Sequence, residues 1–145
     1  MERKIKLNIL VLCTGNSCRS QMAEGFLRNY FGANATIYSA GIYASGVNPN
    51  AIKVMKEIGI DISNHTSNKV DEYFNINFDF IITVCDNAKE TCPYFPSNAK
   101  KIHHNFPDPF YAIGAEEDIL KSFRFTRDLI LEFCKDFFEK NKGTN

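Results

Sequence analysis

The sequence carries no excess of charge of either sign: 17 lysines and arginines stand against 17 aspartates and glutamates, a formal net charge of zero. A general nucleic-acid binder draws its affinity from neutralising phosphates, so this balance argues against a nucleic-acid partner. Long apolar runs are missing too. No stretch approaches the roughly 20 residues that a helix needs to cross a bilayer, so no membrane partner is expected. The basic start followed by Leu7 to Cys13 has the outline of a secretion signal, but Asn8 interrupts it and no small-x-small cleavage site follows. The expected location is cytoplasmic. Repeats, low-complexity tracts and linkers rich in proline, glycine or serine are also lacking, so residues 1–145 read as a single domain, expected to be a monomer.

What is present fits a globular protein. The composition is 44% hydrophobic and 23% charged. A domain of this length buries roughly 70% of its unfolded surface, enough for a core without disulfide staples. Five cysteines stand in the chain: Cys13, Cys18, Cys85, Cys92 and Cys134. In a reducing compartment they suggest thiol chemistry or metal binding sooner than a disulfide framework.

Residues 8–13, Asn-Ile-Leu-Val-Leu-Cys, form a nearly continuous apolar run, as in a strand buried on both faces of a parallel sheet. A turn-forming cluster, Thr14-Gly15-Asn16-Ser17, follows. Ser20 is then placed to cap a helix that carries Met22, Phe26, Leu27 and Tyr30 on one side and ends near Gly32. Residues 35–40 read as a second strand closed by Gly41, residues 50–58 as a helix, and residues 78–84 as a buried strand. Residues 101–104 read as another short strand. A long amphipathic helix from 116 to about 140 places Ile119, Phe123, Ile130, Phe133 and Phe137 along one stripe. Strands alternating with helices predict an α/β fold with a parallel sheet and a ligand site beyond the strands' carboxyl ends. Cys13 and Cys85 both fall at such ends.

The segment Cys13-Thr14-Gly15-Asn16-Ser17-Cys18-Arg19-Ser20 lies between a strand and a helix start. A loop so placed can turn successive backbone N–H groups inward as a nest for a tetrahedral oxyanion, helped by the helix N-terminus. Arg19 adds a planar fork of donors suited to two oxygens of a phosphate-like group. The same field is expected to keep Cys13 a thiolate, a nucleophile aimed at the central atom of the bound anion. Ser20 is placed to donate a hydrogen bond to that sulfur. The competing reading is a buried strand-end cysteine and a surface arginine. Cys18 reads as a structural or bystander thiol.

The run from Cys13 to Gly25 closely resembles the active-site segment of the thioredoxin-coupled arsenate reductases, which share a fold with the low-molecular-weight protein tyrosine phosphatases. The resemblance continues through Tyr38-Ser-Ala-Gly41, Asn48-Pro-Asn-Ala51, Met55 to Ser63, Thr83-Val-Cys85 and Cys92-Pro93, covering most of the chain up to about Asp108. It implies a single-domain four-stranded parallel sheet flanked by helices. Gln21 looks like the reductase branch, since the phosphatases usually have proline there.

Two further thiols, Cys85 and Cys92, flank a polar segment. Were that segment helical, seven residues would set the two α-carbons about 10 Å apart along the axis. A disulfide needs roughly 4.4–6.8 Å, so the pair could bond only if the segment unwound. With few apolar anchors, such local unfolding is inexpensive, which suits a redox-linked switch. The resemblance implies the order of events. Cys13 attacks arsenate, and Cys85 attacks the Cys13–arsenic adduct and expels arsenite. Cys92 then takes over the disulfide, and thioredoxin reduces the Cys85–Cys92 pair. Phosphate or sulfate would serve as arsenate analogues. Alternatives remain open: Cys85 as a small buried hydrophobe, Cys92 as an incidental thiol, or a zinc site with His103 or His104.

A leaving oxygen needs a carboxylic acid within reach. Asp108, held between Pro107 and Pro109, occupies the Asp-Pro position where both resembled families place their general acid; an ordinary turn is the competing reading. Phe110 and Tyr111 follow it, as aromatic residues often do in phosphatases, which keeps phosphotyrosine hydrolysis through a Cys13 phosphoenzyme as the alternative function. A non-catalytic oxyanion or redox sensor is a third. No cofactor is expected to be required. The resemblance does raise a potassium ion beside the loop, at Asn16, Glu24, Ser39, Thr66 and Asn68. Asn68 stands where aspartate is usual, and a neutral polar network is the competing reading.

Overall fold

The computed structural model describes residues 6–86 and 98–143. Strand β1 (Leu7–Cys13) is apolar except for Asn8, and Ile9, Leu10, Val11 and Leu12 are all fully buried. Alternate residues of a strand point to opposite faces, so both faces of β1 are covered. It lies at the centre of one sheet with β2 (Ala35–Gly41), β3 (Phe80–Thr83) and β4 (Lys100–His103), in the order β2-β1-β3-β4 and parallel throughout. The expected four-stranded, single-domain α/β architecture is borne out.

Three α-helices are found among the described residues: α1 (Arg19–Phe31), α2 (Pro49–Lys56) and α3 (Glu116–Asn141). Asn48 caps α2 by accepting from the backbone N–H groups of Asn50 and Ala51, and Pro49 fits the first turn. The buried stripe of α3 runs Leu120, Phe123, Arg127, Ile130, Cys134, Phe137, in alternating steps of three and four. It is shifted from the expected one: Ile119 and Phe133 lie beside it, half-buried. Aromatic contacts tie α3 to α1, where Tyr30 stacks on Phe138 at 5.4 Å and Phe31 meets the same ring edge-on at 4.9 Å.

The helix α1 starts one residue before the expected cap. Cys18 occupies the capping position, and no side chain caps the helix there. Ser20 lies inside α1, and its hydroxyl oxygen accepts from Asn16 Nδ2 at 2.9 Å, leaving its own O–H to donate. Short 3-10 turns lie at Val70–Tyr73 and Pro109–Tyr111. The second begins with Asp108 as its cap, accepting from Phe110 N.

Candidate active site

The loop from β1 to α1 is held from outside by its carbonyl groups. Thr14 O accepts from Tyr43 N, Gly15 O from Ser45 N and Ser17 O from Asn48 N. Asn16 O accepts from Ser67 Oγ at 2.8 Å and from Gln21 Nε2 at 3.1 Å. A trans peptide sets its N–H opposite its C=O, so four outward carbonyls turn the next residues' N–H groups toward the concave side. Asn16 takes φ 48°, a left-handed conformation that asparagine tolerates. Gly41, at the end of β2, lies so close beneath the loop that a Cβ there would sit 2.7 Å from both Asn16 N and Thr14 O.

Behind the loop runs a buried polar network. Asn16 Nδ2 donates to Ser39 Oγ at 2.9 Å, and Ser39 donates to Glu24 Oε1. Gln21 spends both amide hydrogens on the carbonyls of Asn16 and Thr66, so its oxygen must accept, and His65 Nδ1 at 3.0 Å is the donor. Burial holds His65 below its ordinary pKa, in keeping with a neutral ring. The 3.7 Å approach of His65 to Glu24 is therefore not an ion pair.

This network does not fit a potassium ion. Asn68 Oδ1 accepts from Thr66 Oγ1 while Asn68 Nδ2 donates to Glu72, and Asn16 Oδ1 accepts from Asn68 N. Glu24 Oε2 already accepts from Arg28 Nε at 2.7 Å. The oxygens expected to converge on a cation are engaged with one another or with hydrogen-bond donors, and an arginine supplies the positive charge. Among the described residues, no group of three or more histidines, cysteines or acidic side chains is placed to hold a metal ion.

Arg19 enters the site as the first residue of α1 and is 7% exposed. Its terminal nitrogens reach Phe106 O at 2.8 Å and Asp108 Oδ2 at 3.2 Å. Its Nε is buried with no hydrogen-bond partner. Orphaned buried donors are rare in folded proteins and leave the group's desolvation uncompensated. A bound oxyanion would satisfy this one. Asp108 and Arg19 line, with Cys13, Thr14 and Cys18, a cavity of about 470 Å³ whose outer wall includes Tyr43, Phe110 and Tyr111.

Cys13 is 4% exposed at the floor of that cavity. Cys85 follows β3 at the same end of the sheet as Cys13: β1 and β3 pair in register up to Leu12 and Thr83, and Thr14 Oγ1 lies 3.2 Å from Cys85 Sγ. The neighbouring thiol and burial push Cys13 upward from its ordinary pKa, against the pull of Arg19. Cys85 and burial thus oppose the thiolate form of Cys13 that Arg19 favours. Burial and the Asp108 carboxylate push Cys18 up to about 12, so it is not a second nucleophile at neutral pH. Cys92 and most of the segment joining it to Cys85 lie outside the described residues. Both ring nitrogens of His103 are engaged, by Thr83 and Asp86, and His104 stacks on Phe106.

Residues 8–144 match the family model for low molecular weight phosphotyrosine protein phosphatase. The chain belongs to that family. It is 49% identical over 142 residues to a Bacillus subtilis (strain 168) protein named arsenate reductase, covering 98% of this chain and 100% of the relative. Its fold superposes on the solved structure of an arsenate reductase in the oxidized state with a TM-score of 0.79 and 28% identity, covering 92% of this chain and 97% of the other. A low molecular weight protein tyrosine phosphatase from T. tengcongensis gives a TM-score of 0.77 at 26% identity, over 93% and 99% of the two chains. The resemblance read from Cys13 to Gly25 and onward is borne out on both sides, with phosphatases and reductases as neighbours.

Proposed function

We propose that this protein reduces arsenate to arsenite through Cys13, Cys85 and Cys92. The observation that carries the reading is that Cys85, 3.2 Å from Thr14 Oγ1, stands beside Cys13 at the ends of the paired strands β1 and β3, with the orphaned Arg19 Nε on the cavity that Cys13 lines. Hydrolysis of a phosphate ester needs one thiol at the anion site; oxidation chemistry needs a second within bonding reach of the first. The 49% identity to a protein named arsenate reductase supports the same reading.

Arsenate binds in the loop, with two of its oxygens on the Arg19 fork and the others on the N–H groups and the α1 N-terminus. The Cys13 thiol gives up its proton and its sulfur attacks arsenic, while Asp108 protonates the departing oxygen, which leaves as water. Cys85 then attacks the Cys13 sulfur. The electron pair of the S–As bond stays on arsenic, which falls from the +5 to the +3 state and leaves as arsenite. Cys92 attacks Cys85, forms the Cys85–Cys92 disulfide and returns Cys13 as a thiol. An external dithiol, thioredoxin in this reading, reduces that disulfide in the cytoplasm, with the protein acting as a monomer and without a resident cofactor.

One observation favours a second activity. Tyr43, Phe110 and Tyr111 are exposed around the mouth of the cavity, a wall that an aryl phosphate could use. The discriminating assay measures arsenite release with thioredoxin, its reductase and NADPH beside hydrolysis of an aryl phosphate. Arsenite release that vanishes in Cys85→Ser, with ester hydrolysis retained, is the expected result. Aryl phosphate hydrolysis with no arsenite from the wild type would assign the protein to ester cleavage.

A further inference from the structure

The segment that carries Cys85 is clamped on both sides of the cysteine by the end of β4. Before it, Thr83 O accepts from His104 N and Val84 O from Phe106 N. After it, Asp86 N donates to Asn105 Oδ1 at 3.2 Å. One side chain spans the two sides. His103 Nδ1 lies 2.7 Å from Thr83 Oγ1, and His103 Nε2 lies 2.8 Å from Asp86 Oδ1. Because the carboxylate can only accept, Nε2 carries the hydrogen, and in a neutral ring Nδ1 accepts from the threonine hydroxyl. The ring thus braces residues 83 and 86, with Cys85 between them, from the β4 position that pairs in register with Thr83.

We infer that His103 is a positioning residue for Cys85, holding the second thiol against Thr14 of the anion loop by bracing the backbone through Thr83 and Asp86. The inference rests on the relay reading for its catalytic consequence, but the bracing itself does not. Asp86 is mostly exposed and His103 only partly buried, so neither belongs to the core and both tolerate substitution. Neither lines the oxyanion cavity. Losing the brace should loosen Cys85 while leaving anion binding intact, a split that a general loss of structure would not give.

Two readouts test this on the full-length reduced protein. The first is the rate of iodoacetamide modification at Cys85, read by peptide mass mapping beside Cys13. In His103→Ala and Asp86→Ala it should rise roughly fivefold, the weight of one partly exposed, charge-assisted hydrogen bond. The second is a single turnover with arsenate: arsenite release should slow by a similar factor while inhibition by inorganic phosphate stays at the wild-type level. His103→Gln, whose amide can still reach Asp86, should recover most of the wild-type behaviour. His103→Asn, too short to reach it, should not. Unchanged Cys85 modification in the folded alanine variants would overturn the inference. So would a parallel loss of phosphate affinity, which would make the pair a support of the whole fold. If the wild type releases no arsenite, the reductase reading fails alone, and the modification rates still decide the bracing.

Discussion

Replacing Gly41 by alanine puts a methyl group into a space already filled by backbone. An added Cβ would lie 2.5 Å from Tyr43 O and 2.7 Å from both Asn16 N and Thr14 O. None of these atoms can swing aside as a side-chain end would, so the strand and the anion loop must part. Overpacking costs typically 1–3 kcal/mol, and with three backbone contacts the upper end, about 3 kcal/mol, is expected. For a chain of this size that corresponds to a fall in melting temperature of about 10 °C. The functional loss is larger in proportion. The Asn16 peptide is part of the cradle, and its displacement by several tenths of an ångström takes a donor out of the 2.7–3.1 Å window, worth about 100-fold in turnover. Thermal melts, arsenate turnover and inhibition by phosphate measure the two effects. Gly143→Ala, with nothing within 4 Å of the new methyl, serves as the silent control. A Gly41→Ala protein with wild-type melting and turnover would show that β2 does not support the loop as described.

Arg19→Lys should lower arsenate kcat/KM by about 100- to 1000-fold, because an ammonium cannot hold Phe106 O, Asp108 and the anion at once. Retention within tenfold would remove Arg19 from the anion site. Stability should fall at alkaline pH. Cys13, Cys18 and Cys134 are all held above the ordinary thiol range, Cys13 by the Cys85 thiol and then by burial, the other two chiefly by burial. Their contribution is complete below the unfolded thiol value of about 8.5 and is lost as pH rises toward the folded values, by about 1.4 kcal/mol per pH unit for each thiol. Cys134→Ala should flatten denaturant-measured stability against pH by one thiol's share; an unaltered slope would show that Cys134 is not held protonated.

The strands were readable because β1 and β3 are buried on both faces and so spell continuous apolar runs, and the loop was readable because Gly15, Arg19 and the strand-to-helix setting coincide. The shift in α3 had a different origin. The sequence stripe followed the largest side chains, Phe133 among them, but that ring packs sideways against His104 and Phe106. Smaller Cys134 faces the core, where its thiol approaches Ala23 O. Nor could spacing reveal which group acts on the Cys13 thiol. That group is Cys85, which lies 72 residues away in sequence and arrives only through the β1–β3 pairing. The bracing of residues 83 and 86 by His103 is likewise a product of strand register. The hydrogen-bond directions of the polar groups behind the loop, with Arg28 on Glu24, emerge only in three dimensions.

The pairing of Cys13 with Cys85 is tested most directly by adding one equivalent of arsenate to the fully reduced protein without any external reductant, then quenching with acid and mapping every thiol. One equivalent of arsenite, with two thiols lost per molecule and Cys85 in a disulfide, is the predicted result. Intact thiols at every position and no arsenite would contradict it.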